Sequence, residues 1–188
     1  IKYQPLYKGL LFCLFFSTAV VAKPDINAGK ERANQCFNCH GKEGKSQNAQ
    51  FPILAGQKPA YLVNQLRAFR EGTRKNGMMN HIAANLSHQE MNNLAAYFAL
   101  LKSQGAGGDA TLAKKGQSKA ALCFGCHSYG AQGMGVTPRL AGQHPAYLKK
   151  QLQAFKDGSR KNGPMRGIAS MLSNEDINAL VEYMGRLQ

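Results

Sequence analysis

Apolar residues recur along this chain at helical spacing, and they do so twice. Tyr61, Leu62, Leu66 and Phe69 make one face of a helix predicted from about Pro59 to Arg70, and the pattern returns from Pro145 to Lys156. Proline opens both segments, where its missing N–H is not needed. Met91, Leu94, Ala95, Phe98 and Leu101 mark another helix, matched by Ile177, Leu180, Val181, Met184 and Leu187. Ser87-x-x-Glu90 and Ser173-x-x-Asp176 stand before these two as capping boxes, the second an aspartate variant. A further helix is predicted in each half, around Ala28 to Gln35 and Thr111 to Leu122, with Gly29 and Gly116 at matching places. A glycine inside a helix costs about 1 kcal/mol, so its presence twice points to a close helix crossing. No alternating strand pattern occurs, and the expected class is all-α.

The pattern repeats because the sequence does. Pro52-Ile53-Leu54-Ala55-Gly56-Gln57-Lys58-Pro59-Ala60-Tyr61-Leu62 returns as Pro138-Arg139-Leu140-Ala141-Gly142-Gln143-His144-Pro145-Ala146-Tyr147-Leu148, and Arg74-Lys75-Asn76-Gly77 as Arg160-Lys161-Asn162-Gly163. Two copies are too few for a solenoid and imply a tandem domain pair. The expected limits are 23–103 for the first domain and 111–188 for the second. The linker, 104–110, lies in a joint around Ser103 to Gly108 whose composition is that of a flexible connection. At roughly 80 residues, each half is marginal for a self-sufficient core, and a buried cofactor would supply the missing apolar mass.

The N-terminus changes the picture. Lys2 and Lys8 precede an uncharged run from Gly9 to Ala22, which is followed by Lys23-Pro24-Asp25. The run is shorter than the ~20 residues a bilayer span needs, and it reads as a secretory signal peptide, 1–22, cut after Ala22. Of five cysteines only Cys13 lies in that run; once it is removed no thiol is left over for a disulfide framework. The formal net charge is +14, and each half contributes eleven basic and five acidic residues. No basic arm or nucleic-acid motif is present, so nucleic acid is not expected. The basic balance suits redox partners with acidic docking surfaces, and leaves peripheral association with an anionic membrane open.

The other four cysteines carry the chemistry. Cys36-Phe37-Asn38-Cys39-His40 and Cys123-Phe124-Gly125-Cys126-His127 both read C-x-x-C-H, the attachment signature of c-type haem. On a helical turn the two sulfurs share a face and can reach both vinyl groups of one porphyrin, with the adjacent imidazole beneath the iron. Two covalently attached haems are expected, held by Cys36 and Cys39 and by Cys123 and Cys126. The repeat narrows the sixth ligand. Met79 meets Met165 at an offset of 86, whereas Met78 meets Pro164, and His81, His88 and His144 have no counterpart. The expected axial pairs are His40 with Met79 and His127 with Met165. Each methionine sits in a glycine-rich segment that reads as irregular. Met91, Met134, Met171 and Met184 read as packing residues. A thioether ligand raises the reduction potential, and two strong axial ligands close the iron to substrate, which describes a carrier and not an enzyme. A carbonyl near Pro52 and Pro138 is a candidate acceptor for each imidazole Nδ1–H. Tyr61, Tyr147, Arg74 and Arg160 are candidates to meet haem propionates.

With these motifs the chain resembles the class I c-type cytochromes, in particular the dihaem cytochrome c₄ type. The resemblance runs from Gly29 to Tyr183. It implies two tandem class I domains related by a pseudo-twofold, haem-to-haem transfer, and axial roles for Met79 and Met165. It also implies a periplasmic carrier between a quinol-oxidising complex and a terminal oxidase of the cbb₃ type. The alternative is a dihaem electron-transfer subunit of a larger complex, such as a sulfide-oxidising flavocytochrome. A zinc site built from the two C-x-x-C pairs leaves both histidines, the paired methionines and the export signal unexplained. A dihaem peroxidase or a thiosulfate-oxidising enzyme would need one open or unusual iron position, against the symmetry of Met79 and Met165.

Overall fold

The computed structural model describes residues 22–188; Cys13 and the apolar N-terminal run up to Val21 lie outside the described residues. The described chain is all-α. Helices α1 (Ile26–His40), α2 (Pro59–Arg70), α3 (Gly77–Ala84) and α4 (His88–Leu100) form the first half. The second half contains α5 (Ala110–Gln117), α6 (Ala121–His127), α7 (Pro145–Lys156), α8 (Gly163–Met171) and α9 (Asn174–Arg186). Among the described residues the only β-type pairing is an isolated bridge between Met134 and Thr137. No helix among them is long and apolar enough to cross a membrane.

Two elements differ from the sequence expectation. The helix expected to run unbroken from Thr111 to Leu122 is split, because a turn at 118–120 separates α5 from α6. Ser118 at this turn directs its hydroxyl to the Lys115 carbonyl at 3.4 Å, a local bond that competes with helix continuation. In the first half α1 runs without a break through the motif to His40. The segments holding Met79 and Met165, read as irregular, are instead the short helices α3 and α8. Their glycines lower helix propensity, but Asn76 and Asn162 cap them, each accepting from the N–H of the methionine three residues on at 3.1 Å.

The capping boxes of α4 and α9 are both formed, with Ser87 paired to Glu90 and Ser173 to Asp176. The helix pairs α1/α4 and α5/α9 organise the two cores. Their crossings explain the internal glycines. A Cβ on Gly29 would lie 2.2 Å from the Asn93 carbonyl oxygen, and one on Gly116 would lie 2.2 Å from that of Ala179. Ala33, Leu62, Leu86, Met91, Leu94 and Phe98 fill the first core. Ala120, Leu148, Leu172, Ile177, Leu180 and Met184 fill the second.

The halves meet through reciprocal bonds that account for the repeated Gly-Gln pair. Gln143 accepts from the Ile53 N–H at 2.8 Å and donates to the Ile53 carbonyl at 2.9 Å. Gln57 treats Arg139, the residue matching Ile53, in the same way at 2.7 and 2.9 Å. His144 is buried here and its Nε2 bonds the Ser46 carbonyl at 2.9 Å, a structural role. The joint between the halves is not a free tether. Ala106 donates to Gly142 at 3.0 Å, Gly107 to Gly185 at 3.1 Å, and Asp109 to the Glu182 carboxylate at 2.7 Å. The approach is so close that a Cβ on Gly185 would sit 2.2 Å from the Gly107 carbonyl oxygen. Within the joint, Gly108 serves contact, since a Cβ there would lie 2.6 Å from the Glu182 carbonyl oxygen, whereas Gly107 serves its backbone φ of 77°.

Candidate haem sites

Each site is built from the end of a helix. His40 is the last residue of α1 and His127 the last of α6, and both imidazoles are buried. The chain then turns sharply. Gly41 takes this turn at φ 74° in the first half, and Ser128 at φ 65°, ψ 163° in the second. The loop returns so that the Pro52 carbonyl lies 2.8 Å from His40 Nδ1, and the Pro138 carbonyl 2.8 Å from His127 Nδ1. A carbonyl oxygen can only accept, so Nδ1 carries the proton in both rings and Nε2 presents a lone pair. Burial pushes both imidazoles below their ordinary pKa, against a smaller upward push from the carbonyl bond. Each is thus a neutral ring of fixed tautomer and orientation, the state a metal-ligating histidine needs.

The cysteines lie on the helix turn before each histidine. Cys36 and Cys123 are half-buried and pack against their respective cores. Burial pushes both of these thiols up from the usual cysteine value. Cys39 is half-buried, while Cys126 is exposed. Met79 and Met165 occupy the first turns of α3 and α8, fixed through their own N–H by the asparagine caps. Both are half-buried, whereas Met78 is 53% exposed. This favours Met79 over its neighbour. In the first half the Asn80 amide ties α3 to α2, donating to the carbonyls of Phe69 at 2.6 Å and Arg74 at 2.8 Å.

Tyr61, Tyr147, Arg74 and Arg160 do not form ordinary helix surface. They meet across the boundary between the halves. Arg74 donates to Gln65 in its own half at 2.8 Å, and to Tyr147 and Gln151 in the other half at 3.0 and 2.8 Å. Arg160 mirrors it, with Gln151 at 2.8 Å, Tyr61 at 3.1 Å and Gln65 at 2.9 Å. Each guanidinium also lies over a phenylalanine of its own half, Phe69 at 4.6 Å and Phe155 at 4.5 Å. Among the described residues no carboxylate pairs with either arginine. Burial would raise the Tyr61 hydroxyl, yet the guanidiniums of Arg160 and Arg74 hold it below its usual value. Two half-buried cations with only neutral partners are short of negative charge, which propionates would supply. The donor set therefore fits two haems: an oriented imidazole, a helical cysteine pair and a thioether borne on a capped helix turn in each half, with a cationic network between.

The remaining histidines and methionines sort cleanly. His81 and His88 are exposed, and Met91 and Met184 are buried in the cores. Met134 and Met171, expected to pack, are instead 71% and 68% exposed. Periodicity could not reveal this, since both lie next to core positions in sequence. The asparagine caps, the Gln57 and Gln143 clasps and the arginine network were not assigned from sequence. The caps and clasps are visible there only as identities between the two copies, while the sequence singled out Tyr61, Tyr147, Arg74 and Arg160 as propionate candidates but not their pairing across the halves.

The cytochrome c family profile matches residues 26–102 and again 113–188. The cytochrome c4 of Pseudomonas aeruginosa is 37% identical over 194 residues, covering 95% of this chain and 96% of that protein. The chain belongs to the dihaem cytochrome c4 family. A crystal structure of reduced recombinant cytochrome c4 from Pseudomonas stutzeri superposes with a TM-score of 0.82 at 36% identity, covering 88% of this chain and all of that one. A thiosulfate dehydrogenase electron acceptor from Stutzerimonas stutzeri is 37% identical, with 82% of this chain and 80% of that protein covered. Family membership makes this cytochrome c4 homologue an electron-transfer protein, and its two cytochrome c domains imply two c-type haems.

Proposed function

We propose that this protein is a periplasmic electron carrier that takes electrons from a quinol-oxidising complex and passes them to a terminal oxidase of the cbb₃ type. In this reading Cys36 and Cys39 attach one haem and Cys123 and Cys126 the other, with His40 and Met79, and His127 and Met165, as the axial pairs. When bound, each haem supplies a one-electron Fe(III)/Fe(II) couple. The chain's residues hold each couple still. The Pro52 and Pro138 carbonyls keep the Nδ1 protons in place and increase imidazole basicity. The Asn76 and Asn162 caps fix the thioether-bearing turns. His40 with Met79, and His127 with Met165, would hold each iron by two strong ligands, so that little would have to rearrange on a change of oxidation state. The observation that carries the reading is the equivalence of the two sites. An enzyme would be expected to differ at one of them, whereas here the same carbonyl and the same cap recur at the same distances.

A second reading of the donor is favoured by the relatives named as thiosulfate dehydrogenase electron acceptors. Electrons would then enter from a sulfur-oxidising enzyme, with the chemistry of the carrier unchanged. Periplasmic placement rests on the family, on the apolar N-terminal run and on the two attachment motifs.

Haem quantification on the denatured protein is expected to give two haems per chain. In the oxidised protein a red-region charge-transfer band from Met–Fe(III) is expected, with Met79→Ala and Met165→Ala each removing part of it. One haem per chain, or a band that survives in the double variant, would reject the assignment. Mixing the oxidised protein with a quinol-oxidising complex and its quinol, and separately with a thiosulfate dehydrogenase and thiosulfate, separates the two donor readings by which of them reduces it.

A further inference from the structure

The two halves agree inside and disagree at one rim. From Ala120 to Pro138 the second half carries no Lys, Arg, Asp or Glu, while the matching stretch of the first half carries Lys42, Glu43 and Lys45. In the second half this stretch exposes Leu122 at 61%, Tyr129 at 91%, Met134 at 71% and Val136 at 61%. The first three correspond to Gln35, Lys42 and Gln47, all exposed and polar. Large apolar side chains at such exposure leave most of their surface uncovered by their own half.

The backbone that presents them is ordered. Leu122, Gly125 and Cys126 share one face of α6, with no atom within 4 Å of where a Gly125 side chain would begin. Tyr129 stands with its ring 6.1 Å from that of Phe124. The loop folds back so that the Gly133 N–H donates to the His127 carbonyl at 2.7 Å. Met134 and Thr137 then exchange two backbone bonds at 3.0 and 2.9 Å, holding Met134 and Val136 out on a tight turn. Leu122 thus shares a helix face with the exposed Cys126, and the Gly133–His127 bond brings the turn carrying Met134 and Val136 back to the end of the same helix. Its basic flank is close. The Lys119 carbonyl accepts from the Leu122 N–H at 3.4 Å while its ammonium is held by Asp176 at 2.6 Å; among the described residues no carboxylate pairs with Lys114 or Lys115, both exposed on the preceding helix.

We propose that this rim of the second half, and not the matching face of the first, is the docking surface for a redox protein whose contact face is apolar at its centre and acidic at its edge. The inference rests on the carrier reading above. An uncharged centre can be dehydrated at little cost, and the lysines beside it give the orientation that carboxylates on a partner would recognise. In the first half Lys42, Glu43 and Lys45 would have to be stripped of water at the same position, with Lys45 already held by Glu43 at 2.7 Å.

The test uses the haem-loaded protein with the rim residues exchanged between halves. One variant is Tyr129→Lys with Met134→Gln, and its reciprocal is Lys42→Tyr with Gln47→Met. All four positions are exposed, and unchanged haem content and optical spectrum verify folding. Second-order electron-transfer rates are read by stopped flow against a purified cbb₃-type oxidase and a purified bc₁-type quinol-oxidising complex. The second-half variant is expected to lose about tenfold or more with at least one of them, the scale of a central interface residue, while the reciprocal variant changes less than about twofold. Equal losses in both variants, or none in either, overturn the proposal and leave the carrier reading standing. A parent protein that exchanges electrons with neither complex removes the carrier reading and this inference with it. Sedimentation velocity and co-sedimentation with phosphatidylglycerol vesicles complete the test. A dimer, or vesicle binding, that the second-half variant abolishes would assign the rim to a second copy or to lipid, and would overturn the proposal.

Discussion

Replacing Gly116 by alanine separates two physical effects that differ in sign. Intrinsic helix propensity favours alanine by about 1 kcal/mol, so an isolated α5 would gain stability. In the folded protein the new methyl would stand 2.2 Å from the Ala179 carbonyl oxygen, 2.5 Å from its carbon and 3.0 Å from the Leu180 nitrogen. All three are backbone atoms of α9, so no side chain can rotate away. Relief requires the two helices to part by about 1 Å, and a gap of that size forfeits a quarter to a half of each dispersion contact along the seam. Overpacking of this kind costs about 1–3 kcal/mol and at times more, and contact with backbone puts it at the upper end. After the propensity gain, the expected net loss is about 2 kcal/mol. Guanidinium unfolding of the haem-loaded protein, followed by far-ultraviolet circular dichroism, measures it. Gly29→Ala provides an independent repeat, because its methyl meets the Asn93 carbonyl oxygen at the same 2.2 Å. A Gly116→Ala protein as stable as the parent, or more stable, would show that propensity decides and that the close crossing is not a constraint.

Three further outcomes are expected. Ser128→Gly should stabilise the protein by about 1 kcal/mol in the same assay, since Ser128 holds φ 65°, ψ 163° where the first half has Gly41; an unchanged or lower stability would refute strain at this turn. Gln143→Ala leaves the buried N–H and carbonyl of Ile53 without partners and should cost about 2 kcal/mol, with the two halves unfolding in separate transitions; a single transition at the parental midpoint would mean the clasp does not couple them. The Asp176 carboxyl is lowered to about 2 by the Lys119 bond and then by the Ser173 N–H. A depressed carboxyl contributes stability above its unfolded value of about 3.9 and loses it as pH falls toward the folded value. Asp176→Asn should therefore flatten the stability profile between about pH 4 and pH 2, and an identical acid limb in both proteins would refute the link.

Periodicity and capping signals sufficed for the four long amphipathic and capped helices, because their apolar faces and N-caps are local properties of Pro59–Arg70, Pro145–Lys156 and the segments after Ser87 and Ser173. The two C-x-x-C-H motifs and the paired methionines stood out as candidates for a related reason, since fixed spacing and an internal repeat need no knowledge of distant contacts. Helices α3 and α8 were missed because eight and nine residues with glycine at the start give little periodic signal. Their stability comes from one asparagine each and from packing on α2 and α7.

What tertiary structure alone decided is how the two copies face one another. Groups separated by more than seventy residues, the side chains of Arg74 and Tyr147 and the Gln57 amide with the Arg139 backbone, become partners only when the halves dock. Neither partner's local sequence encodes that approach. The same holds at the surface, where burial depends on what the rest of the chain covers. Met91 and Met134 are the same residue type, yet one is fully buried and the other stands exposed on a turn. Composition and spacing thus determined the chemistry of the two sites. Docking determined the charge between them, and the uncovered rim of the second half is where one copy departs from the other.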